Sequence, residues 1–163
     1  EFLKVLDEYD KIMFCGGQSD PIFHTQFIDF LKLCFERNKL AIVHTATSHK
    51  KKEWYDKAFD ANPKAQWKFG IDGLPKDSHK YRINQDGEKL FEVAKMFANK
   101  GITTKWQYLI FRYNENDIEE AKKMALDNNI IFELNRSSRW DEDDPYKPLN
   151  PDYWLDRDKI NEV

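Results

Sequence analysis

Seven consecutive residues, Cys15-Gly16-Gly17-Gln18-Ser19-Asp20-Pro21, gather the groups in this chain best suited to hold a small polar ligand. Two glycines let the backbone turn sharply and approach a ligand closely. Ser19 and Asp20 add a hydroxyl and a carboxylate, and a carboxylate can accept a charge-assisted hydrogen bond from an ammonium. Pro21 stiffens the exit toward a helix. Asp20 can equally cap that helix, and Cys15 can equally be core packing.

Two further groups belong to the same line of reasoning. Asp72 opens an Asp-Gly pair at the end of an apolar run, where it can face a ligand or simply make a turn. Arg82 lies in the loop that follows and can pair with a carboxylate or form a surface ion pair. Metal and cofactor motifs are weak by comparison. His49 and Glu53 stand four apart on a helix, but nothing supplies a third ligand at helical spacing. The acidic run Asp141-Glu-Asp-Asp144 lacks the alternation and glycine of a calcium loop and reads as solvated. There is no nucleophile elbow, phosphate loop or dinucleotide fingerprint.

These residues need a frame, and the chain supplies a regular one. Lys11–Cys15, Leu40–His44, Gln66–Ile71, Thr104–Arg112 and Ile130–Leu134 read as strands. The periodicity predicts helices over 21–37, near 50–61, after Gly87 to a stop at Gly101, and from an Asn116 cap with Glu119 completing a capping box. Within them Phe27, Leu31 and Cys34, and later Leu90, Val93, Ala94 and Phe97, form apolar stripes. Strand and helix alternate without interruption, which argues an α/β fold with parallel neighbours joined by right-handed crossovers. In such folds ligands bind at the carboxyl ends of the strands. Those ends are Cys15–Asp20, His44-Thr45, Ile71–Gly73, Arg112–Asn114 and Leu134–Ser137. Residues 1–138 make up the repeating core, and 139–163 form an irregular extension that Trp140, Tyr153 and Trp154 can anchor.

A length of 163 residues suits one domain with a proper core. The 15% of aromatic residues lets few positions bury much area despite 34% charged residues. With a net charge of −3 and interspersed signs, the chain carries no basic arm for nucleic acid. Its apolar runs are strand-sized, which excludes a membrane span, and its first residues have no signal-peptide pattern. Two cysteines make no disulfide framework and fit a reducing cytoplasm. The missing initiator Met suggests an artificial boundary or a processed fragment.

The order of the motifs resembles the radical S-adenosylmethionine (radical SAM) superfamily over roughly Leu3 to Ser138. Gly16-Gly17-x-x-Asp20-Pro21, then His44-Thr45-x-x-Ser48, then Phe69-x-Ile71-Asp72-Gly73-Leu74 are similar to the ends of that core's second, third and fourth strands. His79, Tyr81 and Arg82 resemble its His-x-x-Arg segment. The resemblance implies a partial (β/α)6 TIM-like barrel of all-parallel strands with helices outside, binding S-adenosylmethionine. It implies that Gly16 and Gly17 offer backbone contacts, with Ser19 beside them, and that Asp20 is the acid for the methionyl amino group. Asp20 is displaced two residues from the usual Glu.

By the same resemblance Asp72 approaches the ribose and methionyl end, and Arg82 pairs with the methionyl carboxylate. Tyr113, Asn114 and Asn135 fall on the adenine side, while Gly70 stands where the family often has Ser. The family's iron–sulfur (4Fe-4S) cluster needs Cys-x3-Cys-x2-Cys, which this sequence does not contain. Two expectations follow from that. Either the chain is part of an enzyme whose intact parent cleaves S-adenosylmethionine to a 5′-deoxyadenosyl radical, or it is an inert truncated barrel that acts as a binding or scaffold protein. Another wound α/β ligand binder is the third reading. The substrate, a peptide or small molecule, is not legible. A first-strand edge left bare is expected to be covered by the tail, a partner or a second copy.

Overall fold

The structure, a computed structural model, describes residues 2–16 and 19–154. Gly17, part of the expected ligand loop, and residues 155–163 lie outside the described residues.

Five strands form one sheet in chain order: β1 (Lys11–Phe14), β2 (Leu40–Thr45), β3 (Gln66–Gly70), β4 (Thr104–Leu109) and β5 (Ile131–Asn135). Every neighbouring pair is parallel. The connections carry helices α2 (Phe27–Glu36), α3 (Lys52–Ala61), α4 (Gly87–Asn99) and α5 (Ile118–Asp127), with α1 (Phe2–Glu8) ahead of β1. Sequential parallel strands with crossovers of one hand place all helices on the same face. The packing agrees. Phe2 of α1 meets Phe14 of β1 and Phe30 of α2, Phe27 of α2 stacks on Trp54 of α3, and Tyr55 of α3 meets Phe97 of α4. This is the expected partial barrel, with one helical layer outside and a helix-free inner face.

The core lies between sheet and helices. Ala41 and Val43, Trp67 and Phe69, and Trp106 and Tyr108 are buried at alternate positions of their strands, which is the period of side chains leaving one face. Leu31, Cys34, Tyr55, Ala58, Leu90, Ala94 and Phe97 meet them from the helices. Each fully buried aromatic of this kind stabilises the fold by about 1.5–3 kcal/mol. The inner face is different: there the register aligns His44, Lys68 and Lys105 in one row and Gly70, Gln107 and Glu133 in the next.

Several element boundaries differ from the sequence reading, each for a local reason. The helix expected over 21–37 is split. Asp20 caps a single 3-10 turn at Pro21–Phe23, and α2 starts only at Phe27. The expected strand 104–112 stops at Leu109, because side chains take over the backbone donors: Leu109 N–H donates to Asp72 Oδ1 and Phe111 N–H to Asn114 Oδ1. The capping box at Asn116 does not form. Asp117 occupies the N-cap of α5, and its side chain makes no capping bond. Residues 136–154 return along the rim, where Trp140 is buried against Phe111 and the Tyr146 carbonyl accepts from Arg112 N–H.

Candidate functional site

The loop after β1 is pinned by one carboxylate. Asp20 Oδ1 accepts from Ile22 N–H at 3.2 Å, which caps the 3-10 turn. Asp20 Oδ2 accepts from Thr45 Oγ1 and Ala46 N–H, both at 2.8 Å, and from Thr47 N–H at 3.2 Å. The residue is therefore a clasp between the carboxyl ends of β1 and β2. Its Oδ2 is saturated, so any ligand ammonium finds acceptor capacity only on Oδ1 and on the neighbouring carbonyls. Capping and ligand contact were both open in the sequence, and the structure places Asp20 in the cap.

The close turn expected of the glycines is visible at Gly16. A Cβ added there would lie 1.5 Å from the Ser19 carbonyl oxygen, so only glycine lets the loop fold back onto itself. Gly70, at the end of β3, makes a second opening. A Cβ there would lie 3.0 Å from the Arg82 guanidinium, which occupies the space a serine would take.

Arg82 is held from below. Its Nε lies 2.8 Å from Asp72 Oδ2, and Asp72 is fully buried while Arg82 remains partly exposed. The approach is off the line of a hydrogen bond, which leaves both buried atoms without an aligned partner. Burial pushes the Asp72 carboxyl above its ordinary value, and the Arg82 charge and the Leu109 N–H bond oppose that shift. Asp72 is thus a support beneath the site, while Arg82 presents its guanidinium to the space above.

That space is a cavity of about 750 Å³, well within the size of small-ligand sites. Gly16, Ser19, Asp20 and Arg82 line it, together with Thr47 and Gln85, which the sequence reading did not single out, and His49, which lies in the loop ahead of α3 rather than on a helix with Glu53. Asp72 lies beneath the wall, outside the lining. Gln85 stitches the rim: its Nε2 donates to the Ala46 carbonyl at 2.5 Å and the Gly70 carbonyl at 2.9 Å, and its Oε1 accepts from Ser78 Oγ. The only cue to it was a polar residue in a loop following an Ile-Asp-Gly turn. Tyr113 donates from its hydroxyl to the Asp72 carbonyl at 2.6 Å, and Asn114 is fully buried in loop-closing bonds. Neither they nor Asn135 line the cavity.

This architecture has counterparts among solved structures. A domain of pyruvate-formate lyase-activating enzyme from Bacteroides vulgatus superposes with a TM-score of 0.64 at 18% identity, over 87% of this chain and 86% of that one. SuiB from Streptococcus suis, bound to S-adenosylmethionine, gives 0.67 at 16% identity over 86% of this chain. The enzyme anSMEcpe, with bound AdoMet and a peptide, gives 0.64 at 13% identity over 93% of this chain. The fold is that of the radical SAM core. This chain spans 32% of SuiB and 46% of anSMEcpe, and at these identities the likeness is one of fold. No protein-family model and no curated protein sequence matches the chain.

The two cofactors implied by a radical SAM core fare differently here. The cavity at the strand ends, the Gly16 cradle and the half-satisfied Arg82 suit the polar end of S-adenosylmethionine. Among the described residues, no group of three His, Cys, Asp or Glu could hold a metal ion, so these residues do not fit a 4Fe-4S cluster. Cys15 is exposed and Cys34 buried, and both are free thiols. Among the described residues no helix is long and apolar enough to cross a membrane.

Proposed function

We propose that this chain is the strand-bearing core of a radical SAM enzyme and binds S-adenosylmethionine in the cavity at the carboxyl ends of β1 to β4. The observation that carries the proposal is the cavity's lining. Gly16 and Ser19 lie on one side and Arg82 on the other, on a fold shared with enzymes solved with S-adenosylmethionine or AdoMet.

In this reading the carbonyls beside Gly16 and the free side of Asp20 Oδ1 receive the methionyl ammonium, and the Arg82 guanidinium receives the carboxylate. Asp72 and Gly70 are positioning residues. The first anchors Arg82, and the second leaves it room. Bound S-adenosylmethionine would supply a sulfonium whose reductive cleavage gives a 5′-deoxyadenosyl radical. The described residues offer no ligand set for a cluster, so in this reading the cluster is held by the rest of a parent protein or by a partner. Cys15 and Cys34, both unpaired, accord with a reducing, cytoplasmic setting. The outer edge of β1 is where a further strand would add, from the parent or from a second copy.

The reading is tested in the intact parent, reconstituted anaerobically and reduced with dithionite. Formation of 5′-deoxyadenosine that is lost in Arg82→Met supports it. An absence of 5′-deoxyadenosine from a cluster-loaded parent favours the scaffold reading instead. Release of 5′-deoxyadenosine by residues 1–163 alone would overturn the assignment of the reductant elsewhere.

A further inference from the structure

The inner face of the sheet is charged where a partial barrel with nothing to bind could be apolar. Lys68 and Lys105 stand directly opposite each other on β3 and β4. Like charges facing each other across neighbouring strands destabilise a sheet. Glu133 on β5 relieves part of that, bridging Lys68 at 2.5 Å and Lys105 at 2.6 Å. All three side chains are more than two-thirds buried. His44 continues the row on β2, level with Lys68.

Two ammonium groups against one carboxylate leave a net charge of +1, with most of the ammonium protons not directed at Glu133. Burial and then the Lys68 charge hold the His44 pKa below its ordinary value, so the imidazole adds no positive charge near neutrality. The patch adjoins the cavity, because His44 and Gln107 belong to both the cavity lining and this face.

We propose that Lys68 and Lys105, bridged by Glu133 on the inner sheet face beside the cavity, bind a carboxylate of the substrate. The term substrate rests on the S-adenosylmethionine reading of the adjoining cavity. A carboxylate is favoured over a phosphate by the surroundings. Backbone N–H groups in this part of the sheet are engaged in the parallel ladder, so there is no N–H cradle of the kind that phosphates occupy. The pair already accommodates one carboxylate, that of Glu133, and a second would neutralise the remaining charge. The substrate would then be an organic acid or a peptide with an acidic side chain, held on the barrel's inner wall next to the radical-generating cavity.

The test is an NMR titration of the 163-residue chain with glutarate, with inorganic phosphate as a second arm. Both are carried out at about pH 8, where both are essentially dianions, and at constant ionic strength. The expected result is saturable shifts at His44, Lys68 and Lys105, with glutarate binding at least as tightly as phosphate. Glu133→Gln should tighten glutarate binding several-fold by removing the internal competitor. Lys105→Met should weaken it about tenfold or more, and Lys105→Arg should retain it. The arginine variant guards against a methionine variant that merely misfolds. Shifts scattered without saturation over the helix lysines would overturn the site, and tighter binding of phosphate would overturn its assignment to a carboxylate. A parallel titration with S-adenosylmethionine separates the two readings. Loss of glutarate binding alone refutes this site, and loss of S-adenosylmethionine binding alone refutes the cavity assignment.

Discussion

The carboxylate of Asp20 accepts the hydroxyl proton of Thr45 at 2.8 Å, across 25 residues of sequence. Through that bond and two backbone amides, Asp20 ties the end of the loop after β1 to the loop after β2. Asp20→Asn turns part of the acceptor into an amide donor facing Thr45 and Ala46, and the mismatch should cost about 1–3 kcal/mol. Urea denaturation of the two proteins checks this. Unchanged stability would mean that the clasp contributes nothing.

Gly16→Ala addresses the cradle directly. The added Cβ would collide with the Ser19 carbonyl, so the loop has to open. Because the loop lies outside the core, the melting temperature should change little, while affinity for S-adenosylmethionine should fall about tenfold or more. The two measurements together distinguish a loop effect from general unfolding.

The two thiols should differ sharply. Cys34 is fully enclosed between helix and sheet, and burial pushes its pKa up to about 11, while Cys15 is exposed. An aromatic disulfide reagent at neutral pH should modify Cys15 alone in the native protein and both residues in denaturant. Rapid native labelling of Cys34 would contradict the packing of α2.

His44 gives a pH dependence of definite sign. Its folded-state pKa lies below the ordinary 6.5, first through burial and then through Lys68. Between those two values the unfolded chain binds more protons than the folded one. The stability contribution is therefore complete above 6.5 and is lost as the pH falls through the folded value. Glu133 opposes this by favouring the charged imidazole, and Lys105 reinforces it. Between about pH 7.5 and 5.5 the wild type should lose more stability than His44→Gln. An equal or larger loss in the variant would contradict the neutral imidazole.

The framework was legible in the sequence because it depends on period. Trp67 and Phe69, two apart, and Leu31 and Cys34, three apart, can only face one side of a strand and of a helix. The strand order follows from unbroken alternation. The motifs also led to Gly16, Ser19 and Arg82, which do line one cavity. What the sequence left undecided was the use of each polar group. Asp20 has the same chemistry as cap and as ligand, and only the positions of Ile22, Thr45, Ala46 and Thr47 show how its two oxygens are used. Gln85 and Glu133 carry little local signal, because the partners that give them a role come from other elements: Ala46, Gly70 and Ser78 for Gln85, Lys68 and Lys105 for Glu133. The split of the first long helix was equally hidden, since the hydrogen bond that caps the 3-10 turn, donated by Ile22 N–H to Asp20 Oδ1, does not alter the apolar pattern.

The central claim is that S-adenosylmethionine occupies the cavity between Gly16 and Arg82. The most direct measurement is a two-dimensional NMR titration of the chain with S-adenosylmethionine, repeated on Arg82→Met. The account predicts weak but saturable binding, because the described residues offer no ligand set for a cluster that would add to these contacts. Shifts should concentrate at Gly16, Ser19, the Thr45–His49 loop, Arg82 and Gln85, and saturation should be lost in the variant. Saturable shifts confined to the outer groove between α4 and α5, near Phe91 and Met124, or binding that Arg82→Met leaves unchanged, would contradict it.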